Sequence, residues 1–150
     1  AARIPVGAAP VQVGFTPDGT RAYVSLRDEN RVAVIDTASR KLKGKIEVGP
    51  GPIQLMVTPD GAQVYVANQG SEAAPNGTVS IIDTTSGEVT KTVKTGLGAH
   101  GVSIAADGAF VFVTNINDNS VSVIDARRQE VVATVPVGNS PNGIAYGPSR

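Results

Sequence analysis

Gly7, Gly49, Gly96 and Gly138 punctuate the 150-residue chain at steps of 42, 47 and 42 residues. A second marker keeps the same register: Pro17-Asp18-Gly19 returns as Pro59-Asp60-Gly61 and then as Ala106-Asp107-Gly108. A period of about 40–50 residues holding four short strands is the signature of propeller blades. Seventeen glycines and ten prolines, with no helical apolar period, point to the same all-β class. The expected fold is a β-propeller of four-stranded antiparallel blades.

Within one period the four strands can be placed. Strand A covers Val11–Thr16, with counterparts Ile53–Thr58, Gly101–Ala105 and Gly143–Tyr146. Strand B is Arg21–Leu26, Gln63–Asn68 and Ala109–Asn115, apolar at consecutive positions as a strand covered on both faces must be. Strand C contains Val32–Ile35, Val79–Ile82 and Val121–Ile124. Strand D is amphipathic, with Leu42, Ile46 and Val48 expected on one face and Lys41, Lys43, Lys45 and Glu47 in water. Gly19, Gly61 and Gly108 supply the positive φ of the A-to-B turns, and the aspartates before them can bond the turn backbone. Asp36, Asp83 and Asp125 are expected to do the same after strand C. All six aromatics fall in strands A and B and read as core.

This places three blades at about residues 8–49, 50–96 and 97–138. Residues 1–7 match the end of a preceding strand D, because Arg3-Ile4-Pro5-Val6-Gly7 parallels Thr134-Val135-Pro136-Val137-Gly138. Residues 139–150 match a lone strand A whose turn has become Pro148-Ser149-Arg150. Propellers typically have about four to eight blades. The expected partner is therefore the remaining half of the propeller, in a longer chain, or another copy of this one. The opening Ala1-Ala2-Arg3 reads as a mature or trimmed product.

Thirteen basic and thirteen acidic residues cancel, which argues against a nucleic-acid partner. No apolar run approaches the ~20 residues of a transmembrane helix. Cysteine is absent, which excludes disulfides and thiolate chemistry within the chain.

Tyr23-Val24-Ser25-Leu26, Tyr65-Val66-Ala67-Asn68 and Phe112-Val113-Thr114-Asn115 resemble the repeat of the Tyr-Val-Thr-Asn (YVTN) propeller family. The recurring Val-Ile-Asp and Val-Gly-x-x-Pro signals belong to the same pattern. Leu26 in place of asparagine and Ala106 in place of the turn proline are the departures. The resemblance implies a ring, commonly of seven blades, of which this chain looks like the C-terminal half. It also implies a bacterial or archaeal protein of the periplasm or cell surface. It implies little about function, since the scaffold hosts binding, structural and redox roles alike.

The candidate site residues are those the repeat does not explain. Asp28, Glu29, Glu72 and Asp118 lie in B-to-C loops, which in a propeller share one rim with the D-to-A loops. Arg27 and Asn117 lie on that rim too. His100, the sole histidine, sits just before the third strand A, opposite Val11, Ile53 and Asn142 in the other periods. Its neighbour Gly101 replaces Gln12 and Gln54, which would leave space beside the central channel. His100 is the only candidate metal ligand, and a metal or haem site would need residues from outside this chain. The second period is longer because of residues 69–77, read as a B-to-C loop; Asn76-Gly77-Thr78 fits a glycosylation sequon but is preferred as an Asn-Gly turn.

The leading expectation is a non-catalytic module that binds a protein or small ligand on the rim bearing His100, Asn142, Gln12, Gln54, Arg27, Asp28, Glu72, Asn117 and Asp118. One alternative is part of a propeller oxidoreductase or metal/haem carrier with His100 as a ligand. Another is a purely structural cell-surface protein.

Overall fold

A computed structural model describes residues 3–147, so the expected Pro148–Arg150 turn lies outside the described residues. Three four-stranded antiparallel sheets follow one another along the chain. The first contains β1 (Pro10–Phe15), β2 (Arg21–Leu26), β3 (Arg31–Asp36) and β4 (Lys41–Glu47). The second contains β5 (Pro52–Val57), β6 (Gln63–Gly70), β7 (Pro75–Asp83) and β8 (Glu88–Lys94). The third contains β9 (Ala99–Ile104), β10 (Phe110–Asn115), β11 (Ser120–Asp125) and β12 (Glu130–Pro136). Each sheet is a meander in chain order, which is the arrangement of propeller blades.

The core lies between blades, because a single sheet has nothing of its own to bury its faces against. Tyr23 and Val32 of the first blade pack with Leu55, Val64, Val66 and Ile82 of the second. Tyr65, Val79 and Ile81, on the other face of the second blade, meet Val102, Val111 and Ile124 of the third. Each fully buried aliphatic side chain of these seams contributes about 1.5–3 kcal/mol.

The turns are held as their residues dictate. Gly19, Gly61 and Gly108 have φ of 69°, 74° and 73°. The Asp18, Asp60 and Asp107 carboxylates accept the amides of Thr20, Ala62 and Ala109 at 3.0, 3.0 and 2.9 Å. Asp36, Asp83 and Asp125 accept those of Ser39, Ser86 and Arg128 after strand C.

Four expectations change. Strand D carries a bulge: Val34 pairs with Gly44 but Ile35 with Leu42, so Lys43 is the extra residue. The bulge resets the alternation. Leu42 therefore lies opposite Ile35, on the other face from Ile46, and is 39% exposed. The same bulge recurs at Thr90 and Val132. The aromatics are not all core: Tyr23 and Tyr65 are buried, whereas Phe15, Phe110 and Tyr146 are exposed. Phe15 pairs with Ala22, on the face of the first blade turned away from the second, and Phe110 lies on the outward face of the third.

Third, residues 69–77 are not simply a loop. β6 runs on to Gly70 and β7 starts at Pro75, with Gly70 paired to Pro75, so the insertion is an extended hairpin. Its tight turn is Ser71–Ala74, closed by the Ser71 amide to the Ala74 carbonyl at 3.0 Å. Asn76-Gly77 is thus strand rather than turn.

Fourth, residues 3–9 and 141–147 carry no strand. Both nevertheless pack against blades. Ile4 and Val6 pack on the outward face of the first blade. Tyr146 stacks on Phe112, ring centres 6.0 Å apart, and its amide donates to Ser103 Oγ at 2.9 Å.

Candidate functional site

Strand A begins on a bulge in every blade. Pro10 pairs with Leu26 but Val13 with Val24, and Pro52/Leu55 and Ala99/Val102 repeat the slip. The slipped residues are Val11-Gln12, Ile53-Gln54 and His100-Gly101. Gln12 and Gln54 use this geometry to cross to the next blade. Gln12 Oε1 accepts the Leu55 amide at 2.9 Å, and Gln54 Oε1 accepts that of Val102 at 3.3 Å. These two glutamines rivet neighbouring blades.

In the third blade Gly101 takes the glutamine's place, and no open space results. A Cβ there would lie 2.8 Å from Thr114 Oγ1 and 3.3 Å from Gly143 Cα. Gly101 is a close approach, and Thr114 Oγ1 accepts its amide at 2.7 Å. His100 lies inside β9 rather than before it, half-buried, with a buried Nδ1 that has no hydrogen-bond partner among the described residues. Burial pushes its imidazole below the ordinary value, and the nearby Asn142 backbone acts in the opposite direction. No three His, Cys, Asp or Glu among the described residues come together as a ligand set.

The rim of B-to-C and D-to-A loops is stitched across elements. Glu29 Oε1 accepts the Ala8 amide at 2.7 Å, and Asp118 Oδ2 accepts that of Leu97 at 2.7 Å. Asn30 Oδ1 and Asn119 Oδ1 then accept the amides of Gly51 and Ser140 at 2.9 and 2.8 Å. Both asparagines take positive φ, 53° and 49°, which asparagine tolerates better than most side chains. Glu29 also holds Lys45 at 2.6 Å, and that bond, with the Ala8 amide, keeps its carboxyl below the usual range.

In the second blade the Asn76 carbonyl takes the place of the Asn30 and Asn119 side chains, beside backbone bonds of a kind the other blades share. Gln69 and Gly70 donate to the carbonyls of Gly51 and Pro50 at 3.0 and 2.9 Å. On the other flank Gly77 and Asn76 carbonyls accept from Thr95 and Gly98, both at 2.8 Å. The approach is so close that a Cβ on Gly51 would collide with the Gly70 carbonyl, and one on Gly77 with that of Gly96. Glycine pairs thus clamp the hairpin base on both sides, and its turn stands up from the rim.

Beside this hairpin lies an open cleft of about 830 Å³. Gln69, Ser71, Glu72 and Asn76 of the hairpin form one wall, and Pro50 and Gly51 lie at its foot. Arg27, Asp28 and Asn30 come from the first blade, and Ile116, Asn117 and Ser140 from the far side. Arg27 Nε and Asp28 are paired at 2.9 Å.

The structure therefore brings Arg27, Asp28, Glu72 and Asn117 to one cleft. His100, Asn142, Gln12, Gln54 and Asp118 do not line it; the glutamines and Asp118 are spent on backbone amides. Asn30, Pro50, Gly51, Ile116 and Ser140 line the cleft without having been singled out. One sequence signal for them exists: Asn30 and Asn119 are the same residue at the same place in two repeats, next to D-to-A loops of matching register.

A comparison with curated proteins finds no match. Among solved structures, Kuenenia stuttgartiensis hydrazine synthase is similar, with a TM-score of 0.82 and 29% sequence identity. The likeness covers 89% of this chain but only 38% of that one. The family model of the YNCE-like beta-propeller matches residues 1–148. The meandering blades, the inter-blade cores and that match agree: the chain belongs to the YNCE-like beta-propeller family.

Proposed function

We propose that the chain is a non-catalytic binding module that seats a protein or small ligand on the rim of B-to-C and D-to-A loops. The observation that carries this reading is the 830 Å³ cleft, with a clamped hairpin as its wall and polar side chains from three blades facing it. Insertions on one rim of a repeat protein commonly carry binding. The YVTN-like motifs support a place in the periplasm or at the cell surface, which fractionation of the native host would test. The binding experiment compares the parent with a variant whose residues 70–75 are replaced by a two-residue turn, on peptide and glycan arrays. Loss of every array signal in the variant, with the far-ultraviolet spectrum unchanged, is the expected result. Signals that survive the replacement defeat the reading.

A second reading has its own observation. The buried, unpartnered Nδ1 of His100 is a free ligand atom, and the similar structure carries the name of an enzyme. On this reading His100 serves a metal or haem completed by residues from elsewhere. It predicts a stoichiometric metal or a visible absorbance band that His100→Ala abolishes. A purely structural surface protein would show neither that band nor an array signal.

A further inference from the structure

We infer that the cleft takes an extended, cationic segment of a partner polypeptide, with peptide groups on the cleft's amide side chains and a Lys or Arg on Glu72. This rests on the binding reading above and narrows its ligand.

The inference comes from what the cleft has left to offer. Asn30 and Asn76 each use only the carbonyl oxygen of the side chain, on the Gly51 amide and the Thr78 hydroxyl, which leaves both Nδ2 groups without a hydrogen-bond partner among the described residues. The amides of Gln69 and Asn117 make no side-chain hydrogen bond among the described residues. A side-chain amide presents one acceptor and one donor group in a plane, the same pair that a peptide group presents. Several such groups along an open cleft suit a chain that repeats that pair at short intervals.

Charge narrows the class. Arg27 is paired with Asp28, whereas Glu72 stands at the hairpin turn with no cationic partner among the described residues. An anionic ligand such as a phosphate or an acidic peptide would meet Glu72 and find no unpaired lysine or arginine among the described residues that line the cleft. Carbohydrate is disfavoured on other grounds: among the described residues no aromatic ring lines the cleft to stack against a sugar face. A cationic polypeptide segment satisfies both conditions.

The test is selection from a random octapeptide display library on the purified full chain, in parallel with a glycan array. Enriched peptides should carry Lys or Arg at one fixed register. Glu72→Gln should weaken a synthetic copy of the enriched peptide about threefold to fivefold, as expected for an exposed ion pair. Raising the salt should shrink that difference, and Asp107→Ala, in a turn on the opposite rim, should leave binding unchanged. Enrichment of acidic peptides, or of glycans that still need the hairpin, overturns the ligand class while the binding reading stands. No hairpin-dependent ligand in either format overturns both.

Discussion

The two rims of this molecule are built from the same repeat and use it in opposite ways. On the rim of A-to-B and C-to-D turns, every aspartate is consumed within its own turn. On the other rim, Glu29, Asn30, Asp118 and Asn119 reach into adjoining D-to-A loops, and the second blade replaces them with a hairpin. The first rim is three copies of one local solution. The second is a joint surface on which blades differ, and its cleft keeps polar side chains that no stitch uses. Repetition of a residue marks scaffold when its bonds close inside the repeat.

The largest effect should come from breaking the hairpin's clamp. In Gly77→Val the new side chain meets the Gly96 carbonyl, backbone that has no rotamer to yield. Overpacking of this kind costs about 1–3 kcal/mol, read as a lower midpoint in urea, and it should also displace the cleft wall and abolish array signals. A stability loss with array binding intact would mean that the hairpin is not the wall that matters. Asp60→Ala should sharpen the contrast. It removes the acceptor for the Ala62 amide and the Thr58 hydroxyl, at a cost of about 1 kcal/mol, without touching ligand binding.

The smallest effect concerns His100, which belongs to neither rim's bonding pattern. Its folded-state pKa lies below the ordinary 6.5, because burial disfavours the charged ring. The unfolded chain therefore takes up the proton first, and stability present above that value falls as pH drops through it. Unfolding midpoints at pH 7.5 and 5.5 should separate more for the parent than for His100→Gln. Equal separations would place the ring in water.

The architecture was legible because its signals are local or periodic. The Asp-Gly turns need only a positive φ and an adjacent carboxylate, and the 42-, 47- and 42-residue steps carry the blades. The hairpin was not legible because Gly70, Pro75 and Gly77 are ordinary strand breakers. Their use here is set by Pro50, Gly51 and Gly96, which sit in other loops. Arg27, Asp28, Glu72 and Asn117 stood out as residues the repeat does not require, and the cleft gathers them. Gln12 and Gln54 stood out for the same reason, yet each spans a blade seam. Which of the two a polar side chain does depends on the neighbouring blade's backbone, which no spacing within one repeat reveals.

Those glutamines also set an order of failure under load. The seams from first to second and from second to third blade each hold a glutamine rivet, whereas toward residues 141–147 Gly101 offers no side chain and the Ser103 hydroxyl alone among the described side chains accepts a backbone amide. That last contact relies on the Tyr146 amide, its ring stack and apolar packing. Repeat arrays come apart neighbour by neighbour, at the weakest junction first. Tension or heat should therefore peel residues 141–147 away while both blade seams stay closed.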